Sequence, residues 1–170
     1  VGGKTMFGML SRLAEMPEFA GRVEAVEAMV HIAGYHAVPV IDVAMKLSSP
    51  AERVQMLDLL SDPEFVGKHR EVAVEAISAQ LSSRDHAVVT KALEALGELA
   101  DAELFVEQVA PILEYADRSM RETCVRAMTG YDAPEVIELL RQQLEIGPNV
   151  IRLAVLETLE TIGSSAVLPA

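Results

Sequence analysis

The amino-acid sequence predicts an all-α fold, an α-α superhelix (solenoid) of about five stacked helical hairpins with no β-sheet. A nine-residue apolar pattern recurs along the chain, and each copy is apolar at positions i, i+3, i+4 and i+7, the stripe of an amphipathic helix. No segment shows the sustained two-residue alternation of a half-buried strand. Apolar residues make up 51% of the chain and aromatic residues only 4%, which favours closely packed helices rich in Ala, Val and Leu.

The recurring pattern sets the predicted repeat boundaries. It is clearest at residues 25–33, 92–100 and 155–163, and weaker at 53–60 and 124–131. The anchor residues of the five copies are Met29, Leu57, Leu96, Met128 and Leu159, spaced by 28, 39, 32 and 31 residues. Such a period is typical of a unit of two helices. The predicted domain organisation is therefore an N-terminal tail and preceding helix (about 5–16) within residues 1–19, then repeats at about 20–48, 49–84, 85–116, 117–147 and 148–170.

Capping residues mark the predicted ends of the helices. Gly34 and Gly163 stand where a helix needs a left-handed residue to stop. Pro39 and Pro169 follow in the first turn of the next helix, where a missing N–H is tolerated. Residues 49–52, Ser-Pro-Ala-Glu, form a predicted capping box. Further predicted starts are Asp62 and Asp132, each shortly before a proline, and the predicted N-caps Asp85, Asp117 and Asn149.

Charge and cysteine content exclude several classes of partner. With 14 basic and 26 acidic residues the net charge is −12, so no nucleic acid is expected to bind, because duplex binding needs clustered Lys and Arg. No uninterrupted apolar stretch reaches the length of a membrane span, so no direct membrane insertion is expected. The single cysteine, Cys124, excludes an internal disulfide and favours a reduced, cytoplasmic location.

The repeated segments 25–33, 92–100 and 155–163, followed by 37–39 and 166–169, resemble HEAT repeats of the short bacterial type. The basic residue usual near the start of each first helix is matched at Arg22, Arg53, Arg121 and Arg152. The resemblance implies an armadillo-like α-solenoid that binds proteins, often as one segment of a larger polypeptide. Because the last hairpin stops early in its second helix, we expect the chain to be a segment of a larger protein.

No catalytic, cofactor or metal site is predicted, and the chain is not expected to be an enzyme. Only Glu27 and His31 share a helix face at metal-ligand spacing, and no histidine is followed by Glu. Cys124 occupies a position equivalent to the apolar Ala92, so we expect a small buried side chain without an activating base.

Acidic residues cluster on presumed solvent faces. They are Glu94, Glu98, Asp101, Glu103 and Glu107, then Glu135, Glu138 and Glu145, then Glu157 and Glu160. Such a run is either a solvated face or an acidic surface that attracts a basic partner. In solenoids of the HEAT kind the second helices line the concave side. The predicted partner-contacting residues there are Asp42, Lys46, Glu107, Glu114, Glu138, Arg141 and Gln142.

These observations favour a non-catalytic scaffold or regulatory module that binds a partner protein, or another domain of its own chain, along an extended acidic surface. The alternative is a tetrapyrrole-handling protein, because similar repeats occur in bilin lyases. The expected oligomeric state is a monomer with at most weak end-to-end self-association. Met6, Met9 and Met16 on the first helix form either an adaptable contact surface or core filling against a preceding repeat.

Overall fold

The computed structural model of the protein describes residues 2–62 and 70–163. In these two ranges the chain is built from α-helices joined by short turns, and no residue of them lies in a strand. The first six helices are α1 (Gly2–Ala14), α2 (Arg22–Ala33), α3 (Val38–Leu47), α4 (Pro50–Ser61), α5 (Arg70–Ser78) and α6 (His86–Leu99). The other four are α7 (Ala102–Tyr115), α8 (Arg118–Ala127), α9 (Pro134–Ile146) and α10 (Asn149–Ile162). The all-α prediction is confirmed.

The chain divides into two compact units between Leu99 and Ala100. In unit 1, α2 packs on α4 and α4 on α6, while α3 packs on α5. In unit 2, α7 packs on α9 and α8 on α10. Within each unit, a helix therefore contacts the helix two places further along the chain, as stacked hairpins do. The division falls inside the repeat expected at 85–116, and the superhelical arrangement stays a prediction.

The predicted apolar stripe forms the core of both units. Four anchor residues, Met29, Leu57, Leu96 and Met128, are completely buried, and Leu159 is 9% exposed. Burying such side chains is the main driving force of folding, at roughly 1.5–3 kcal/mol each. The assignment of these positions to the buried face is confirmed.

Side-chain caps stand at four of the described helix starts, and three of them are predicted from the sequence. Ser49 and Glu52 form the expected capping box on α4. Asp85 accepts hydrogen bonds from two amides at the start of α6, and Asp117 accepts one from Met120 of α8. Asp101, which was not predicted as a cap, does the same for α7. These bonds satisfy amides that the first turn of a helix leaves unpaired.

One predicted cap is corrected by the structure. Asn149 is the first residue of α10, and Pro148 occupies the N-cap position without a side-chain cap. The opening predicted at 132–135 is confirmed, since α9 begins at Pro134 with Ala133 as its N-cap residue. The predicted opening at 62–64 falls mostly outside the described residues.

The two glycines predicted to end helices both have positive φ. Gly163 lies in the left-handed region (φ 64°, ψ 20°) and ends α10 as expected. Gly34 combines φ 56° with ψ −131°, so the chain continues into a 3-10 turn, Gly34–Ala37. Pro39 follows in the first turn of α3, whereas Pro169 lies outside the described residues.

The first helix runs from Gly2 to Ala14 and not over 5–16. Its end is set by Pro17, which disfavours helical geometry at Met16. The guanidinium of Arg22 also accounts for this end, because it donates hydrogen bonds to the carbonyls of Ala14, Met16 and Pro17.

Candidate docking grooves on the second helices

The predicted contact residues lie on three helices. Asp42 and Lys46 are on α3, Glu107 and Glu114 on α7, and Glu138, Arg141 and Gln142 on α9. Asp42 is half-buried and the other six side chains are exposed. The structure brings the first two together beside one groove in unit 1, and the other five at or beside a second groove in unit 2.

The first groove, of about 440 Å³, is lined by residues of α3, of the start of α4, and of the turn after α5. Its lining includes Asp42, Met45, Lys46, Arg53, Gln80 and Arg84. The ammonium of Lys46 lies 2.6 Å from a carboxylate oxygen of Asp42, one turn away on the same helix. The rim of this groove therefore carries both signs of charge.

The second groove, of about 570 Å³, runs between α7 and α9. One wall is Glu107, Ala110, Pro111 and Glu114, and the other is Leu139, Gln142, Gln143 and Ile146. Each wall has the spacing i, i+3, i+4, i+7, so the groove follows the two helices for about two turns, or about 10 Å. Both walls combine apolar and polar side chains.

The two grooves use equivalent positions of the repeat. Arg53 and Arg121 each lie four residues after an N-cap residue, Ser49 or Asp117. Gln80 and Gln143 are each the last member of a buried stripe with the spacing i, i+3, i+4, i+7. Both glutamines line their grooves although they are only 8% and 7% exposed.

The arginines of the repeat pattern bind the carbonyls of the preceding helix. Arg53 donates to the carbonyl of Ser48 at 3.2 Å. Arg121 donates to Ala116 at 2.9 Å and to Glu114 at 3.1 Å, and Arg152 donates to Glu145 at 2.8 Å. These bonds satisfy carbonyls that a helix end leaves unpaired. The charge of Arg121 is thus engaged within its own repeat.

The second groove has an acidic rim. The carboxylates of Glu107 and Glu114 form no ion pair with any residue in the described part of the chain. Across the groove, the guanidinium of Arg141 binds Glu138 at 2.8 Å and also contacts Glu145. The uncompensated negative charge of the rim therefore lies on the α7 wall.

The bonds from Arg141 change the acidity of Glu138. The hydrogen bonds that Arg141 donates, with a smaller contribution from Gln142, lower the pKa of Glu138 to about 2. The same pair raises the pKa of Arg141. Glu138 is ionised and engaged at neutral pH, so it provides a fixed charge beside the groove.

The uncharged lining of the second groove was not predicted from the sequence. Pro111, Leu139, Gln143 and Ile146 line the second groove, and Ile146 is 78% exposed. One sequence signal was available: Gln143 completes the apolar stripe of Val136, Leu139 and Leu140, where a polar residue is unusual. The exposure of Ile146 had no such signal.

The acidic residues predicted to face solvent are all exposed. Cys124 is completely buried as expected, and this burial raises the pKa of its thiol to about 12. His31 contacts the backbone oxygen of Glu27 through Nδ1 at 2.8 Å. Among the described residues there is no group of three His, Cys, Asp or Glu side chains suited to a metal ion.

A third, apolar pocket of about 420 Å³ in unit 1 is lined by residues of α1 and by the end of α2. On α1 and in the turn after it, Met6, Met9 and Met16 are 55%, 62% and 52% exposed. The two interpretations of these methionines, contact surface or packing against a preceding repeat, both stay open. No helix in the described ranges has the length and apolar character needed to span a membrane.

No protein-family model matches the chain, and no curated protein matches its sequence.

Proposed function

We propose that the protein is a non-catalytic interaction module of the HEAT-repeat kind, which binds a partner protein or another domain of its own chain along its second helices. The observation that carries the proposal is the second groove, where an exposed apolar lining lies beside two uncompensated carboxylates. Apolar grooves between helices bind apolar side chains, and charge at their rims selects the partner.

A similar groove in each unit supports binding through more than one site. The first groove occupies the same repeat positions in unit 1, with an arginine and a buried glutamine at corresponding places. Two grooves offer more than one contact to a partner, and each contact need only be weak.

Site-specific photo-crosslinking in cells tests the proposal. A benzoylphenylalanine at Gln142, on the groove wall, is expected to yield a discrete adduct with a partner or with another part of the parent chain. The matched control is the same probe at Ser119, which is exposed on α8 and lies outside both groove linings. The purified partner should then bind the full chain and lose affinity for the Ile146→Asp variant. The same adducts from both positions, or none from Gln142, would count against an interaction surface here.

The tetrapyrrole alternative requires a slot for a large conjugated ring. The linings of the first and second grooves contain no aromatic side chain among the described residues. No observation on the described residues favours this alternative over protein binding.

A further inference from the structure

We propose that the second groove binds an arginine side chain of the partner, with the guanidinium held between Glu107 and Glu114 and the aliphatic stem on the apolar walls. The inference rests on the proposed function, because it names the chemistry that this interaction surface recognises. It is carried by two carboxylates without an ion pair and by a side-chain amide without a hydrogen bond to a described residue, all on residues that line one groove.

The carboxylates give the groove its preference for a cation. Glu107 and Glu114 stand at the two ends of the α7 wall, about 10 Å apart along the helix axis. Neither has a cationic partner within 2–62 or 70–163. Arg121 also lines the groove and keeps its positive charge, but its guanidinium is held by hydrogen bonds to the carbonyls of Ala116 and Glu114 and pairs with neither carboxylate. A cation from a partner therefore meets two carboxylates without displacing an existing ion pair.

A second, independent observation lies in the middle of the groove. Gln143 is 93% buried (7% exposed) and lines the groove, yet its side-chain amide makes no hydrogen bond to any described residue. The amide atoms themselves are not fully buried, so a polar group that enters the groove can bond to them without breaking a hydrogen bond within the described part of the protein.

The backbone supplies one more acceptor at the same level. Pro111 lies inside α7 and has no N–H, so the carbonyl of Glu107 loses its usual helical donor. Pro111 itself lines the groove opposite the wall that contains Gln143. The Glu107 carbonyl, the Gln143 amide oxygen and the two carboxylates all accept hydrogen bonds, and each belongs to a residue that lines the groove.

This set of acceptors fits a guanidinium better than an ammonium. The guanidinium has five N–H donors spread over a planar fork, whereas an ammonium is a compact point charge with strong hydration. Ala110, Pro111, Leu139 and Ile146 offer apolar surface for the three-carbon stem. The equivalent position to Glu114 in the first groove is Lys46, so the first groove is not expected to bind the same group.

Binding of three short peptides to the full chain tests the inference. The probes are acetyl-Gly-Leu-Xaa-Leu-Gly-amide peptides with arginine, lysine or citrulline as Xaa. Binding is followed by NMR shifts of the backbone and side-chain amides of the protein. The arginine peptide is expected to shift the side-chain amide of Gln143 saturably, with a Kd near the millimolar range. The lysine peptide should bind about threefold more weakly, and the citrulline peptide about tenfold more weakly or not at all.

Matched variants separate the groove from general charge. Glu114→Gln and Gln143→Leu should each weaken the arginine peptide by about fivefold. Pro111→Ala, which restores the helical donor to Glu107, should weaken it by about threefold while leaving the helix intact. Glu103→Gln removes an exposed carboxylate of α7 outside the groove lining and should leave the Kd unchanged.

Equal affinities for the arginine and citrulline peptides, or an equal loss in Glu103→Gln and Glu114→Gln, would overturn the inference. Its failure is distinguishable from failure of the proposed function. If a partner crosslinks at Gln142 but the arginine peptide causes no saturable shift, the groove binds proteins by other chemistry. If the arginine peptide binds and no adduct forms at Gln142, the arginine site stands and the interaction module does not.

Discussion

The two grooves share their positions in the repeat but differ in charge. In unit 1 the rim carries the Asp42–Lys46 ion pair, and in unit 2 the same rim carries Glu107 and Glu114 without a paired cation. The buried stripe and the carbonyl-binding arginine are kept in both places, because the fold depends on them. Rim residues contribute little to stability and are free to differ. One repeated pattern of buried positions therefore carries two grooves of different charge.

The arginines of the repeat pattern also differ between the units. Arg22 in unit 1 is 2% exposed and donates to the carbonyls of Ala14, Met16, Pro17 and Leu47 and to the hydroxyl of Ser48. It therefore ties the ends of α1 and α3 together, and it lies 3.7 Å from Glu52 of α4. Arg121 in unit 2 is half-buried and binds two carbonyls of one chain segment.

The largest expected effect follows from this difference in burial. Arg22→Met should lower the free energy of unfolding by about 3 kcal/mol, because it removes one buried and three part-buried hydrogen bonds to carbonyls. Arg121→Met should cost about 1 kcal/mol, because water replaces its bonds. Urea unfolding followed by circular dichroism measures both.

A lysine at position 22 provides the control. Arg22→Lys keeps the charge but has one nitrogen in place of three, so it should recover only part of the lost stability. Equal losses in Arg22→Met and Arg121→Met would contradict a special role for the buried arginine.

Exchange of the rim charges tests the comparison of the grooves directly. Glu114→Lys should weaken binding of the arginine peptide by about tenfold, because it places a cation at the end of the second groove. Lys46→Glu replaces one of the three cations that line the first groove with a carboxylate, and should create a weak second binding event there. Amide shifts at Gln80 and Gln143 separate the two events. If binding depended only on net charge, each substitution would change the amide shifts of Gln80 and Gln143 alike, with Glu114→Lys weakening both and Lys46→Glu strengthening both.

A pair of cap variants sharpens the contrast between α4 and α10. Ser49→Ala removes a capping box and should cost about 1 kcal/mol of unfolding free energy. Asn149→Ala should change stability by less than about 0.5 kcal/mol, because Asn149 makes no cap bond. Thermal unfolding measures the stability change in both variants. A comparable loss of stability in the two would show that Asn149 does cap α10.

Local features were predictable and tertiary ones were not. The caps at Ser49, Asp85 and Asp117 depend on residues within three positions, so the sequence contains all that is needed to find them. The prediction that Asn149 caps α10 is wrong, because Pro148 occupies the N-cap position. The predicted end of the first helix is also wrong, because that end depends partly on Arg22, which lies outside residues 1–19.

The grooves show the same limit to what the sequence predicts. The predicted contact residues are exposed apart from half-buried Asp42, because exposure follows from the helical period. The remaining lining depends on which helices lie side by side, and the spacing of one helix does not contain that information. Arg22, Arg53, Arg121 and Arg152 look alike in the sequence, and only packing makes the first of them a buried link between helices.

The smallest expected effect concerns the ion pairs beside the second groove. Arg141→Gln removes the donor that holds the pKa of Glu138 at about 2, so this pKa should rise toward the ordinary value of 4.5. A depressed carboxyl pKa stabilises the folded state above pH 4.5, and this stabilisation is lost as the pH falls toward 2. Carbon-13 NMR of the Glu138 carboxyl follows the titration. Arg118→Gln, an exposed charge loss on α8, should leave the pKa of Glu138 at about 2. A rise in both variants would assign the effect to net charge, whereas a rise in Arg141→Gln alone assigns it to the hydrogen bonds.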